Sequence, residues 1–315
     1  MNQLAFYIVI FVLCLYIISK SADYAIGAVT SYARKTGVSK FIIGFLVVSF
    51  GTTFPEMSTA IMASIAGESN LLLGDLIGAS IIDVALVFSL AVIIARMIKV
   101  KVKQTIDYKV VMVIILVLLS SSLMLIDGKM GRIDGVILLA AFCTYLVIFW
   151  KKEEKISHLK KEIVFRKIWQ DIIVFGGCVA ALLLSARWLV ISAVEISYII
   201  HIPKYIIGLL VIAIGTTIPE LTVNIKSAVK HQTDIGFGNI FGSVVANLTL
   251  SLSIAALIRP FDVPFNLFGP SILFLIGFVI ASLFLFTRRQ ITWRYGILLL
   301  AAYIIFVIIT IIRGF

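Results

Sequence analysis

Residues 40–60, KFIIGFLVVSFGTTFPEMSTA, and residues 204–224, KYIIGLLVIAIGTTIPELTVN, align without a gap at an offset of 164, and 11 of their 21 positions are identical. Two apolar segments share residues through biased composition alone, but that does not bring Gly-Thr-Thr and Pro-Glu into register twice. The same offset pairs Gly74 with Gly238, Gly78 with Gly242, Asp83 with Asn247 and Ser21-Ala22 with Ser185-Ala186. The chain carries two copies of one unit.

The unit is made for lipid. Of the 315 residues, 61% are apolar and 14% charged, against about 45–50% and about 25% in soluble domains. This composition excludes most soluble enzymes and any ordinary nucleic-acid binder. A helix crossing the hydrocarbon core needs roughly 20 residues, and ten candidate spans read as 4–32, 41–66, 71–97, 109–127, 133–150, 169–196, 204–229, 236–258, 267–287 and 293–313. The first, from Leu4 to Ser19, lacks a basic leader and a small-residue cleavage site, so it reads as a helix rather than a signal peptide. Five spans per copy is an odd number, so the second copy enters the membrane from the opposite side. The expected fold is an all-α integral membrane protein of ten transmembrane helices in two inverted-topology five-helix repeats, with discontinuous helices at the midplane. Residues 1–150 form the first repeat, 151–168 a basic linker and 169–315 the second repeat.

The net charge of +11 follows from topology. The linker holds Lys151, Lys152, Lys155, Lys160, Lys161, Arg166 and Lys167, and the positive-inside rule makes it cytoplasmic. Arg34, Lys35, Lys40, Arg96, Lys99, Lys101, Lys103, Lys226, Lys230, Arg288, Arg289 and Arg294 then lie inside as well, leaving Lys129, Arg132, Lys204, Arg259 and Arg313 outside. The protein is expected in the cell membrane as a multi-pass chain with both termini outside. Cys14, Cys143 and Cys178 sit in apolar runs without clamp spacing. His158, His201 and His231 fall in loops.

GTTFPE at 51–56 and GTTIPE at 215–220 mark the breaks. Pro55 and Pro219 have no N–H to give, so carbonyls near Gly51 and Gly215 lose their helical partners. Free carbonyls at membrane depth are tolerated only where something polar meets them. Thr52, Thr53, Thr216 and Thr217 add hydroxyls on the same turn, and Glu56 and Glu220 add carboxylates. A threonine-bearing Pro kink alone is commonly a packing bend. An intramembrane carboxylate costs roughly 2.5–3.5 kcal/mol on insertion scales unless paired or functional, and Arg187 is the one basic residue positioned as a partner.

The third and eighth spans supply the complement, GDLIGASIID at 74–83 and GNIFGSVVAN at 238–247. Their four-residue glycine spacing lets helix backbones approach closely. Asp83 and Asn247 stand in otherwise apolar runs. Glu56, Glu220, Asp83 and Asn247 with the threonine hydroxyls and free carbonyls make an all-oxygen set, the chemistry hard cations prefer; Ca²⁺ takes 6–8 oxygens at about 2.3–2.6 Å. No His or Cys cluster suggests zinc or copper.

These motifs resemble the cation/calcium exchanger superfamily, most closely the prokaryotic sodium/calcium exchangers, and the resemblance covers essentially the whole chain. It implies a secondary transporter rather than an enzyme: an antiporter in which Ca²⁺ and Na⁺ occupy overlapping sites, exposed alternately as helices one and six slide. It implies ion ligands at Glu56, Glu220, Thr52, Thr53, Thr216, Thr217 and Ser243, carbonyl ligands at Ser49 and Ala213, and the paired Asn/Asp position at Asp83 and Asn247. No resident cofactor is implied, since Ca²⁺ and Na⁺ are the transported ions; the lipid bilayer is the surrounding partner. The sequence departs from the pattern in four respects. Thr53 and Thr217 replace serine, Ala79 replaces a serine, Asp83 and Asn247 are reversed, and Asp75 stands where asparagine is usual.

Glu56, Glu220 and Asp83 supply at most three negative charges, which three Na⁺, or one Ca²⁺ with one proton, would neutralise. Uncompensated carboxylates at low dielectric oppose translocation without cargo, so strict exchange is expected. A proton-coupled or K⁺-dependent exchanger is the nearest alternative. An intramembrane aspartyl protease, suggested by LLLGDLIG around Asp75 with Asp23 as second acid, lacks a glycine at Leu73 and any PAL triplet. A passive channel lacks a repeated carbonyl filter.

Overall fold

In hydrocarbon a spanning chain must satisfy its backbone N–H and C=O groups within itself, and the structure is correspondingly almost all helix. It is a computed structural model describing residues 3–36, 49–97, 128–154, 165–229, 233–286 and 292–314. The helices are Gln3–Thr36, Ser49–Thr52, Phe54–Ala66, Ser69–Ile81 running on to Met97, Arg132–Glu154, Phe165–Ile200, Lys204–Ile206 running on to Thr216, Ile218–Val229, Thr233–Ala246 running on to Ile258, Phe265–Phe286 and Trp293–Gly314. Six described helices are long and apolar enough to cross a membrane, or seven if the pair Lys204–Thr216 and Ile218–Val229, bent by 42°, counts as one broken span. The expected span 109–127 lies outside the described residues, as do residues 41–48 of the span 41–66. So do Lys40, Lys99, Lys101, Lys103, Lys155, His158, Lys160, Lys161, Lys230, His231, Arg288 and Arg289.

Two local details add to the expected fold. The fold is not strictly all-α: Lys129–Met130 pairs antiparallel with Phe261–Asp262, closing the ends of two connections where a short ladder satisfies backbone groups no helix reaches. The helices flanking the basic stretch 151–168 run into it, one continuing to Glu154 and the next beginning at Phe165. Lys and Glu are good helix formers, so these helices continue into the charged stretch.

Element bounds repeat at the offset seen in the sequence. Phe54–Ala66 corresponds to Ile218–Val229, Ser69–Ile81 to Thr233–Ala246, and a π-helical stretch at Ile82–Val87 to one at Asn247–Ser251. π-turns insert an extra residue into a helix and are frequent at functional sites; these contain Asp83 and Asn247.

Burial sorts the helices into two layers. In Ser69–Ile94 and Gly236–Ile258, 78% and 89% of the spanning window is buried, against 17% in Gln3–Ser21 and 28% in Trp293–Ile312. The former pair is the inner layer, where the polar motifs lie. Gln3–Thr36 and Phe165–Ile200 pack along each other on the outside, exposing Val12, Leu13, Tyr16, Leu184 and Trp188.

The glycines of the third span permit backbone-to-backbone packing. A Cβ added at Gly74 would sit 2.5 Å from the Tyr205 carbonyl oxygen and 3.0 Å from the Leu209 nitrogen, and one at Gly208 would sit 2.5 Å from the Leu71 carbonyl oxygen. Gly78 faces the Leu209 carbonyl in the same way. This contact seats the broken span Lys204–Thr216 directly on the helix carrying Asp75 and Asp83.

At one end of the same contact, Lys204 Nζ donates to both Glu68 carboxylate oxygens at 2.9 and 2.8 Å and lies 4.7 Å from the Tyr198 ring centroid. Both ionic side chains are 21% exposed, so solvent screening limits the pair. A double-mutant cycle of Lys204→Ala and Glu68→Ala, read by thermal unfolding in detergent, is expected to give a coupling of at most about 1 kcal/mol.

Candidate functional site

Each Gly-Thr-Thr-x-Pro-Glu segment breaks its helix. Ser49–Thr52 ends at Thr53 before Phe54–Ala66 begins, and Ala213–Thr216 ends at Thr217 before Ile218–Val229. A proline at the second position of each new helix wastes no hydrogen bond there, since the first N–H groups of a helix have no intrahelical acceptor. Each glutamate falls on the first turn after the break. Helix N-termini favour negative charge, so the break positions Glu56 and Glu220 and eases their burial together.

The two breaks meet the opposite copies reciprocally. Thr52 Oγ1 donates to Asn239 Oδ1 at 3.2 Å, and Thr216 Oγ1 contacts Asp75 Oδ1 at 3.3 Å. Both pairs map onto each other at the 164-residue offset. Reciprocity of this kind, i to j′ and i′ to j, is the contact pattern that a two-fold-related pair makes. The Thr52 hydroxyl also lies 3.4 Å from that of Ser243 and reaches the Glu220 carboxylate.

All the expected polar side chains that the structure describes are buried: Thr52, Thr53, Glu56, Asp83, Thr216, Thr217, Glu220, Ser243 and Asn247. Both carboxylate oxygens of Glu56 and of Asp83, Oε2 of Glu220 and Oδ1 of Asn247 have no hydrogen-bond partner. Buried polar atoms are nearly always paired, so this many orphans in one place calls for a ligand or a functional cost. The carboxylates of Glu220, Asp75 and Asp83 act electrostatically on Glu56, and that of Asp83 on Glu220, so the acids of both copies share one region. Among the described residues no Lys or Arg side chain is buried. Arg187 is exposed and does not serve these acids.

The carbonyl candidates differ. Ser49 opens the short helix before the first break. The Ala213 carbonyl accepts from the Thr217 amide at 3.1 Å, from the Thr217 hydroxyl at 2.8 Å and from the Thr216 hydroxyl at 3.3 Å. Among the described residues no three acidic, His or Cys side chains converge as a self-sufficient metal clamp. The arrangement instead offers carboxylates from both halves with neutral oxygens between them.

Asp75, Asn239 and Thr59 join the site without having been among the expected ligands. Asp75 accepts from Thr59 on the first broken span as well as contacting Thr216 on the second, and Asn239 Nδ2 is buried and unpartnered. For Asp75 and Asn239 the signal was available, since each directly follows the first glycine of its motif and the two align at the repeat offset; Thr59, whose equivalent is Val223, carried none. As a protease dyad Asp75 and Asp23 fail, because Asp23 is exposed on Gln3–Thr36 while Asp75 is 2% exposed.

The family model described as "Sodium/calcium exchanger protein" matches residues 6–151 and 171–312. The chain belongs to the sodium/calcium exchanger family. It is therefore a member of a family of membrane ion exchangers, and its multi-pass helical fold is the family's. Among relatives, it is 24% identical to sodium/calcium exchanger MaX1 of Methanosarcina acetivorans, over 95% of this chain and 97% of that one. It is 28% identical to inner membrane protein YrbG of Escherichia coli, over 77% of each. Its structure matches the sodium-calcium exchanger NCX_Mj, in a crystal soaked with 10 mM Na⁺ and zero Ca²⁺, with TM-score 0.70 and 26% identity over 96% of this chain and 98% of that one.

Proposed function

We propose that this protein is a secondary active antiporter exchanging Ca²⁺ for Na⁺ by alternating access, through ten helices in two inverted five-helix repeats. The observation that carries the reading is the set of buried carboxylates from both copies, Glu56, Glu220 and Asp83, with orphaned oxygens and no buried basic side chain among the described residues. Cations are the missing charge. Ca²⁺ and Na⁺ are held at the midplane by these acids with Asn247, Thr52, Thr53, Thr216, Thr217, Ser243 and the carbonyls of Ser49 and Ala213. That the similar proteins MaX1 and NCX_Mj are sodium/calcium exchangers supports both ions.

Binding either cargo discharges the acids. Without cargo, moving uncompensated charge through a low-dielectric closed state is costly, which couples one ion's movement to the other's. Gln3–Thr36 and Phe165–Ile200 pack mainly on each other at the outer surface, and their joint sliding alternates access while the inner helices hold the site. The basic linker is cytoplasmic and both termini are outside.

Ca²⁺ flux into proteoliposomes under separately imposed Na⁺, K⁺ and H⁺ gradients tests this. A Na⁺ gradient is expected to drive accumulation. Accumulation driven by a pH or K⁺ gradient in its place would reassign the coupling ion, and uncoupled current would replace the exchanger with a channel.

A further inference from the structure

The two copies are not electrically equal. At the position after the first motif glycine, the first copy has Asp75 and the second Asn239. Each holds the other copy's first motif threonine, at 3.3 and 3.2 Å. An amide oxygen is sufficient for that task, as Asn239 demonstrates. The second atom of each side chain differs: Asp75 Oδ2 takes Thr59, whereas Asn239 Nδ2 is unpartnered. At the position equivalent to Thr59 the second copy has Val223.

Hydrogen bonding does not require the charge at Asp75. An asparagine there could accept from Thr216 through its oxygen and donate its N–H to Thr59, whose own proton can go to the Glu56 carbonyl 2.9 Å away. The carboxylate is surplus to the hydrogen-bond scheme, although an ionisable group at this depth is expensive. It acts electrostatically on Glu56, whose two oxygens are 0% exposed and unpartnered.

We propose that Asp75 is a specificity-determining residue of the ion site, whose carboxylate adds negative charge beside Glu56 and Thr216 and so selects a divalent over a monovalent cation. The inference rests on the exchange reading above. One added negative charge attracts a divalent ion twice as strongly as a monovalent ion at the same distance. Removing it therefore lowers Ca²⁺ affinity by the square of the factor lost for each Na⁺.

The test uses the full-length protein, purified in detergent for equilibrium ⁴⁵Ca²⁺ binding with Na⁺ competition, and reconstituted for flux. Asp75→Asn is expected to weaken Ca²⁺ binding about tenfold while weakening Na⁺ about threefold, the square relation of a lost unit charge. Thr59→Val retains the charge and should shift both ions by the same factor. Asn239→Asp in the Asp75→Asn background returns the charge from the opposite copy and should restore the Ca²⁺-to-Na⁺ ratio. An unchanged ratio in Asp75→Asn, or no restoration by Asn239→Asp, overturns the proposal. Should Asp75→Asn fail to fold, Asn239→Asp alone must raise Ca²⁺ affinity more than Na⁺ affinity, and its failure to do so overturns it equally. Wild-type protein that neither binds nor exchanges Ca²⁺ would sink the exchange reading itself, an outcome distinct from either.

Discussion

Glu56→Gln and Glu220→Gln are each expected to abolish Na⁺-driven Ca²⁺ uptake in proteoliposomes without unfolding the protein. At about 4 Å and an effective dielectric of about 20, a unit charge and a divalent ion attract by roughly 8 kcal/mol before desolvation is subtracted. Even a small remainder of that makes Ca²⁺ binding weaker by two or more orders of magnitude. Stability should move the other way. The Glu56 oxygens are buried without a hydrogen-bond partner and face the charges of Glu220, Asp75 and Asp83, so a neutral isostere removes repulsion and a buried charge. Thermal unfolding in ion-free detergent should therefore be unchanged or higher for Glu56→Gln. The stabilisation that Ca²⁺ confers on wild type by mass action should vanish. Transport retained in both variants would reject the assignment of the glutamates, and a variant that unfolds in ion-free buffer would show that they are structural.

The part of the fold legible in the sequence was the part written in rare residues. Pro55 and Pro219 break helices because they cannot donate, and a glutamate beside a break is rare enough in an apolar run to be noticed twice. The offset then carried Gly74, Gly78 and Asp83 onto their counterparts. Other features depended on what lies across from a residue. That Thr216 contacts Asp75 while Thr52 contacts Asn239 follows from how the copies face each other, which no local pattern encodes. The π-turns at Ile82–Val87 and Asn247–Ser251 have no composition of their own. The Lys129–Met130 ladder is two residues long, too short for any alternation to register. Helix continues to Glu154 and resumes at Phe165, beyond the apolar spans, because hydropathy locates the membrane, not the helix, and charged residues extend helices past it.

Gly78→Val and Gly208→Val are expected to be the most damaging substitutions for stability, each by about 3 kcal/mol or more. Overpacking is usually relieved by a side chain rotating away, but here the facing atoms are backbone. A Cβ at Gly208 meets the Leu71 carbonyl oxygen at 2.5 Å and the Asp75 nitrogen at 3.0 Å, and one at Gly78 meets the Leu209 carbonyl. Relief requires Lys204–Thr216 to move off Ser69–Ile81, and membrane helices are held together largely by such packing. The same displacement would draw Thr216 from Asp75 and so open the reciprocal threonine contacts. Gly27 and Gly176, on the outer helices, have nothing within 4 Å of an added Cβ. Alanine at either should be neutral or stabilising by up to about 1 kcal/mol through helix propensity alone. Thermal unfolding followed by size-exclusion chromatography in detergent separates the two classes. If Gly208→Val melted with wild type, the close contact would be dispensable, and the broken span would be held by its polar contacts rather than by the glycine seam.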